Sequence, residues 1–173
     1  AGQGTVGLEM VAQARAQGAS LDLVAAPISG GGLLAGLATA IKGLSPDTVM
    51  VGVEPEGFDD TLKSLQAGAR QVIKPTGRSL CDSLESPFPG ELTFPIMQKT
   101  VTDVAVVSDR EITEAIRYAF ATLKLVVEPG GAAALAALLA GKIDVAGKGA
   151  VGVVLSGGNV DTEQFAQVLR GEL

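Results

Sequence analysis

Residues 29–36 read Ser-Gly-Gly-Gly-Leu-Leu-Ala-Gly, a composition typical of anion binding, and they lie between an apolar run and a helical pattern. Successive glycines leave backbone N–H groups accessible, and the N-terminus of a following helix adds partial positive charge. We expect phosphate binding here. The alternative is a tight turn with close helix packing, for which one or two glycines would suffice.

The same loop is also compatible with dinucleotide binding. Gly30, Gly32 and Gly36 form a loose glycine fingerprint, and Glu54 follows Gly30 by 24 positions, at the end of the next apolar run. In dinucleotide-binding domains an acidic residue at that place binds the ribose. A nucleoside-triphosphate loop is excluded, because no Gly-Lys-Ser/Thr follows.

Two further loops contain side chains that could bind a ligand. Glu54, Asp59 and Asp60 form a carboxylate cluster that, with a loop carbonyl, would suit Mg²⁺ or Ca²⁺. On spacing alone, a solvated loop in which Asp59 caps a helix is favoured. Ser156 opens a Ser-Gly-Gly-Asn segment, and its hydroxyl could donate to, or accept from, a heteroaromatic nitrogen. A plain strand-to-helix turn explains that segment equally well.

Composition excludes several classes of site. The chain has no histidine, which excludes a Ser-His or Cys-His nucleophile and a His-ligated metal within it. Cys81 is the single cysteine, so no disulfide forms within the chain. A net charge of −6 without a basic cluster argues against nucleic acid or an anionic membrane as partner. Residues 23–41 are uncharged but are interrupted by Pro27 and glycines, so we expect no membrane span there. We also expect no signal peptide and a cytoplasmic location.

The elements that must position these loops alternate between strands and helices. Continuous apolar runs predict strands at 21–28, 49–53, 104–107 and 150–155. Helices are predicted at 5–16, 33–42, 59–67, 93–100, 109–125, 132–140 and 162–170. Such strands form a parallel sheet covered on both faces, and the length fits a single α/β domain over residues 1–173. Since ligands bind at the carboxyl ends of parallel strands, we expect the functional residues in the loops at 29–32, 54–55 and 156–159.

Five segments, taken together, resemble one family. They are residues 1–5, 29–36, 52–55, 125–138 and 153–161, and they occur in the expected order along essentially the whole chain. In this combination the chain is similar to the serine/threonine dehydratases among the fold-type II pyridoxal-phosphate (PLP) enzymes, a group that includes serine racemase. The resemblance implies an α/β fold, with a parallel sheet flanked by helices, of the kind found in the large domain of tryptophan synthase β-like enzymes.

The resemblance also implies the cofactor contacts. Backbone groups of five residues would hold the PLP phosphate: Ser29, Gly30, Gly31, Gly32 and Leu33. Ser156 would hydrogen-bond the pyridine nitrogen, and Glu128 would lie close to the ring. A neutral hydroxyl there does not keep the ring protonated, which suits prompt β-elimination of water.

Two more segments match family features. Glu54, the Phe58 carbonyl and Asp60 correspond to the Mg²⁺ or Ca²⁺ site of some members. Cys81-Asp82-Ser83 matches a segment that usually ends in Asp-Gly beside the cofactor, and here Ser83 replaces the glycine.

Two family motifs do not occur: the Ser-x-Lys-x-Arg motif with the Schiff-base lysine and a Ser-Gly-Asn-His loop. The seven lysines all lie in other contexts. The sequence therefore reads as the carboxyl-terminal half of a dehydratase, without the small catalytic domain, and we expect it to be inactive alone. Its expected partners are the missing amino-terminal half, which would dock on exposed apolar surface, and further copies in a homo-oligomer.

The implied reaction converts a hydroxy-amino acid such as threonine or serine into a 2-oxo acid and ammonia. Two alternatives stay open. One is a dinucleotide-binding Rossmann domain of an oxidoreductase, and the other is a non-catalytic domain that only binds PLP or a partner subunit.

Overall fold

The computed structural model describes residues 2–75 and 77–173 and contains a four-stranded parallel sheet with helices on both faces. The strands are β1 (Leu23–Pro27), β2 (Val49–Pro55), β3 (Asp103–Val107) and β4 (Val151–Val153). The helices are α1 (Gly4–Ala16), α2 (Gly32–Leu44), α3 (Asp60–Ala67), α4 (Phe94–Thr100), α5 (Asp109–Tyr118), α6 (Pro129–Leu139) and α7 (Thr162–Arg170). The parallel α/β fold expected from the sequence is confirmed.

The strand order in the sheet is β3-β2-β1-β4. Leu23 of β1 pairs with Val49 on one side and Val151 on the other, so that β1 lies in the interior of the sheet. All five residues of β1 are buried, which explains its continuous apolar sequence. The first strand of the chain therefore has the last strand as a direct neighbour.

Successive strand side chains point to opposite faces, and this alternation divides the core into two clusters. Ala25 and Val53 pack with α5 and α6 on one face. Val24 and Met50 pack with α2 on the other. Both faces of the sheet are covered, as the uninterrupted apolar strands predict.

Two helix starts follow their sequence signals. Ser108 and Glu111 form the expected capping box at the start of α5, and Asp161 accepts a hydrogen bond from the N–H of Gln164 at the start of α7. Gly18 adopts φ 72° just beyond α1, where a left-handed residue commonly ends a helix. Local hydrogen bonding explains these boundaries.

Several boundaries differ from the sequence expectation, most of all in the second half of the chain. Helix α5 ends at Tyr118, and a π-helical turn, Ala119–Leu123, follows it. Lys124 caps this turn with φ 61°. The sequence carries no glycine there to signal the stop. Helix α6 begins at Pro129 rather than at 132, because Glu128 takes the N-cap position and proline is tolerated in a first turn. Strand β4 spans only 151–153 of the predicted 150–155.

No helix in residues 2–75 and 77–173 combines the length and the apolar character that crossing a bilayer requires.

Candidate functional site

A crevice at the carboxyl ends of the strands lies where the strand order reverses. The chain leaves β1 towards β2 on one side, and its last strand returns to pair with β1 on the other. Loops after such neighbouring strands diverge and leave a crevice between them, which is where open α/β sheets bind ligands. A cavity of about 450 Å³ occupies this place. Its lining includes Ser29, Gly30, Gly31, Gly32, Leu33, Glu128 and Ser156, together with Gln3, Ser83 and Leu155.

The glycine loop places unpaired N–H groups at this cavity. Helix α2 begins at Gly32, and no hydrogen bond in the described part of the chain uses the N–H groups of residues 29–33. Gly31, at the N-cap, has φ 83°, a conformation that side chains with a Cβ rarely adopt. Such N–H groups, together with the positive end of α2, can attract an anion without a cationic side chain.

The opposite wall is formed by the loop after β4 and the start of α6. The carboxylate of Glu128 accepts a hydrogen bond from the N–H of Asn159 at 2.8 Å, and the N–H of Glu128 donates to the carbonyl oxygen of Gly157 at 3.0 Å. A Cβ on Gly157 would lie 2.6 Å from the carboxyl carbon of Glu128. Glu128 therefore holds the loop that contains Ser156, and the Ser156 side chain is exposed beside the cavity.

Glu54 lies outside this cavity, although the dinucleotide alternative requires it beside the glycine loop. Its side chain is fully buried, and its two carboxylate oxygens accept hydrogen bonds from the N–H groups of Thr61 at 2.9 Å and Leu62 at 3.0 Å. These contacts point the carboxylate into the start of α3. It is not accessible to a ribose, and the dinucleotide interpretation based on its spacing is therefore wrong.

The carboxylates of Glu54 and Asp60 both lie in a buried environment. Burial, and to a smaller extent the nearby charge of Asp60, raise the pKa of Glu54 to about 8, against the two backbone hydrogen bonds, which lower it. Burial also raises the pKa of Asp60 to about 7. Both carboxylate oxygens of Asp60 lack a hydrogen-bond partner among the described residues. An unpaired buried carboxylate is costly, so this region has unused capacity for a positive ligand.

Phe58 lies between these two residues in sequence and is buried. No N–H group in the described part of the chain donates to its carbonyl oxygen. The structure therefore brings the three predicted ligands to the junction of β2 and α3. Within residues 2–75 and 77–173, no three His, Cys, Asp or Glu side chains form a metal-binding group, and a cation here would depend on the Phe58 carbonyl and water.

Sequence reasoning left Gln3 without a role at the cavity. Gln3 precedes α1 and lines the cavity, although the pattern of residues 1–5 gives it no chemistry. Ser83, whose segment the resemblance placed beside the cofactor, also lines the cavity, and a Cβ on Gly130 would collide with its hydroxyl. These residues come from distant segments, so no local spacing signals their proximity.

Comparisons with known proteins agree with this geometry. Residues 1–157 match the family model described as pyridoxal-phosphate dependent enzyme. The chain is 39% identical over 171 residues to L-threo-3-hydroxyaspartate ammonia-lyase from Pseudomonas sp, and the match covers 99% of this chain and 52% of that protein.

Solved structures give the same result. A threonine deaminase from T.th. is 46% identical with a TM-score of 0.87, over 92% of this chain and 56% of that chain. Maize serine racemase is 38% identical with a TM-score of 0.85, over 99% of this chain and 51% of that chain. The chain thus spans about half the length of the relatives it matches. On these matches, it belongs to the family of pyridoxal-phosphate dependent enzymes.

Proposed function

We propose that this chain forms the cofactor-binding part of a PLP-dependent ammonia-lyase that acts on a hydroxy-amino acid. One observation supports the cofactor site above all others. The unpaired N–H groups of residues 29–33 and the exposed Ser156 hydroxyl line the same cavity, at the point where the strand order reverses. A phosphate group at the first and a heteroaromatic nitrogen at the second would fit the two walls.

The phosphate would be bound by the backbone. No lysine or arginine lines the cavity in the described part of the chain, so the N–H groups of Ser29, Gly30, Gly31, Gly32 and Leu33, with the helix dipole, would supply the attraction. Their directions are set by the fold before any ligand binds. Such preorganisation lowers the ordering cost of binding.

Ser156 would act on the ring end of the cofactor. Its hydroxyl would donate a hydrogen bond to the pyridine nitrogen without transferring the proton, because a hydroxyl is a far weaker acid than a pyridinium. Glu128 would hold the Ser156 loop and lie beside the ring. Bound PLP supplies a conjugated ring that accepts the electron pair left on the amino-acid Cα.

We further propose that the lysine that bonds PLP, and the residues that move the Cα proton, belong to polypeptide outside these 173 residues. Two observations support this. The chain spans about half of its relatives, and large apolar side chains are exposed over residues 118–126: Tyr118, Phe120, Leu123, Leu125 and Val126. Apolar surface of this kind commonly lies under a second domain or subunit. A homo-oligomer is part of the same proposal.

The substrate class rests on the names of the relatives. They include ammonia-lyases for L-threo-3-hydroxyaspartate and L-threonine, and serine racemases. All of these substrates carry an amino group at Cα and a hydroxyl at Cβ. A neutral Ser156 at the ring nitrogen would favour rapid loss of the β-hydroxyl, so we propose dehydration to a 2-oxo acid and ammonia, with racemisation as the second candidate.

We also propose a divalent cation, Mg²⁺ or Ca²⁺, at Glu54, the Phe58 carbonyl and Asp60. The support is the unpaired, buried Asp60 carboxylate beside a second carboxylate and an unused carbonyl oxygen. Hard oxygen ligands of this kind suit either ion. The cation would compensate the buried charge and connect the end of β2 to the start of α3.

The function is tested by titrating the purified protein, with every polypeptide it contains, with PLP and then reducing with borohydride. We expect saturable binding and one pyridoxyl group on a lysine of a second, amino-terminal polypeptide. The loaded protein should release 2-oxo acid and ammonia from threonine, serine or hydroxyaspartate. D-amino acid without oxo acid would instead identify the racemase. PLP binding without turnover in a sample that contains the amino-terminal polypeptide would identify a non-catalytic domain. No PLP binding would contradict the proposal.

A further inference from the structure

The side of the glycine loop that faces away from the cavity is held by a segment distant in sequence. The hydroxyl of Thr93 donates a hydrogen bond to the carbonyl oxygen of Gly30 at 2.5 Å. The N–H of Gly90 donates to the same oxygen at 3.1 Å. Neither Thr93 nor Gly90 lines the cavity. The Gly30 carbonyl is therefore pointed away from the proposed phosphate.

This contact determines the direction of an N–H group. In a planar trans peptide the N–H points opposite to the carbonyl of the same unit, and the described chain has no cis peptide. The Gly30 carbonyl and the Gly31 N–H belong to one such unit. When Thr93 and Gly90 hold the carbonyl outward, the Gly31 N–H is directed to the cavity side.

Thr93 does not perform the usual task of its position. It is the N-cap residue of α4, yet its side chain makes no capping hydrogen bond. A hydroxyl has one proton, and the second acceptor within reach, the carbonyl oxygen of Gly90, lies farther away at 3.3 Å. The hydroxyl proton thus joins two distant segments, while the hydroxyl oxygen accepts no hydrogen bond from the first turn of α4.

Packing prevents the loop from turning towards α4. A Cβ on Gly31 would lie 2.8 Å from the sulfur of Met97 and 2.9 Å from the Thr93 hydroxyl oxygen. Met97 is fully buried, so its side chain forms a fixed packing surface directly behind Gly31. Thr93 is half-buried and lines a second cavity on this side of the loop.

We propose that Thr93 is a positioning residue for phosphate recognition: its hydroxyl holds the Gly30–Gly31 peptide with the N–H facing the phosphate of the ligand. This inference rests on the proposed function. It goes beyond it by assigning a role to a side chain that touches neither the cavity nor the ligand.

The test compares Thr93→Val, which keeps the shape and removes the hydroxyl, with Thr93→Ser, which keeps the hydroxyl. Thr100→Val is the matched control, because the Thr100 hydroxyl donates only to the Ile96 carbonyl within α4. Affinities for PLP, inorganic phosphate and pyridoxal are measured on the complete purified protein. We expect Thr93→Val to weaken PLP and phosphate binding by about fivefold to tenfold, the effect of one lost hydrogen bond. Pyridoxal binding should stay unchanged, as should all affinities of Thr93→Ser and Thr100→Val.

The contrary outcomes separate this inference from the proposed function. If the unmodified protein binds neither PLP nor phosphate, both fail. If it binds them and Thr93→Val binds them equally well, only the role of Thr93 is refuted. An equal loss of PLP and pyridoxal affinity would show a general distortion of the cavity, and would also overturn the positioning role.

Discussion

At the residue scale, the proposed cofactor contacts divide into backbone groups and a single hydroxyl. The proposed contacts of the N–H groups in residues 29–33 do not depend on the side chains of these residues. Position 31 is the exception, because its φ of 83° requires glycine. Ser156 differs, because its side chain is the group proposed to meet the ring. Substitutions of Ser29 and Ser156, two of the serines that line this cavity, should therefore have unequal effects.

We expect Ser156→Ala to weaken PLP binding by about fivefold to tenfold, the loss of one hydrogen bond. Ser29→Ala is the matched control in the same cavity, and should change the dissociation constant less than about twofold, because the proposed contact at that position is made by the backbone. Fluorescence or absorbance titration measures both. Equal effects of the two substitutions would contradict the assigned roles.

Cys81 provides a second residue-scale prediction. Its thiol is fully buried, and burial raises its pKa to about 12. Since the thiolate is the reactive form, we expect almost no reaction with a thiol reagent at about pH 8 in the native protein and complete reaction after unfolding in denaturant. Rapid labelling of the native protein would show that the surrounding segment opens readily.

At the element scale, several helices begin or pack through interactions with segments distant in sequence. In α6, a Cβ on Gly131 would lie 2.8 Å from both the nitrogen and the oxygen of Gly157. The first turn of this helix is thereby packed directly against the loop that contains Ser156. Helix propensity alone would favour alanine at position 131, and tertiary packing opposes it.

Two glycine-to-alanine substitutions separate these effects. Gly43→Ala lies near the end of α2 with nothing within 4 Å of the added Cβ, and should stabilise the protein by about 0.5 kcal/mol through helix propensity. Gly131→Ala adds the same group against backbone atoms and should destabilise by about 1–3 kcal/mol. Denaturant unfolding measures both, and stabilisation by both would refute the packing argument.

At the scale of the whole molecule, the sheet is covered by helices on both faces, and the buried carboxylates lie where β2 meets α3. A cation bound there would favour the folded state, because unfolding separates its ligands. The stabilisation would follow mass action and would appear in global unfolding. Asp60 is the ligand on which cation binding should depend most, since both of its carboxylate oxygens are buried and unpaired among the described residues.

We therefore expect Mg²⁺ or Ca²⁺ to raise the unfolding midpoint, by an amount equivalent to about 2.7 kcal/mol at a concentration about 100-fold above the dissociation constant. Asp60→Asn should abolish the response. Asp59→Asn is the control, because the Asp59 side chain forms an i,i+4 ion pair with Lys63 at 2.8 Å. In this variant the cation should still raise the unfolding midpoint. A cation response that survives in Asp60→Asn would place the ion elsewhere.

The sequence alone determined the parallel α/β class, the capping of α5 and α7 and the glycine loop, because each depends on periodicity or on hydrogen bonds between near neighbours. The resemblance of five segments also indicated the family. Local patterns carry such information because the residues that make them interact within a few positions of each other.

Only the tertiary structure decided which loops share the cavity. It brought the loops after β1 and β4 together with Glu128 and directed Glu54 away into α3, since strand order is set by long-range pairing. It also placed Thr93 behind the Gly30 carbonyl, a contact 63 residues apart in sequence. No local spacing predicts such neighbours, because they arise when the burial of apolar faces brings distant segments together.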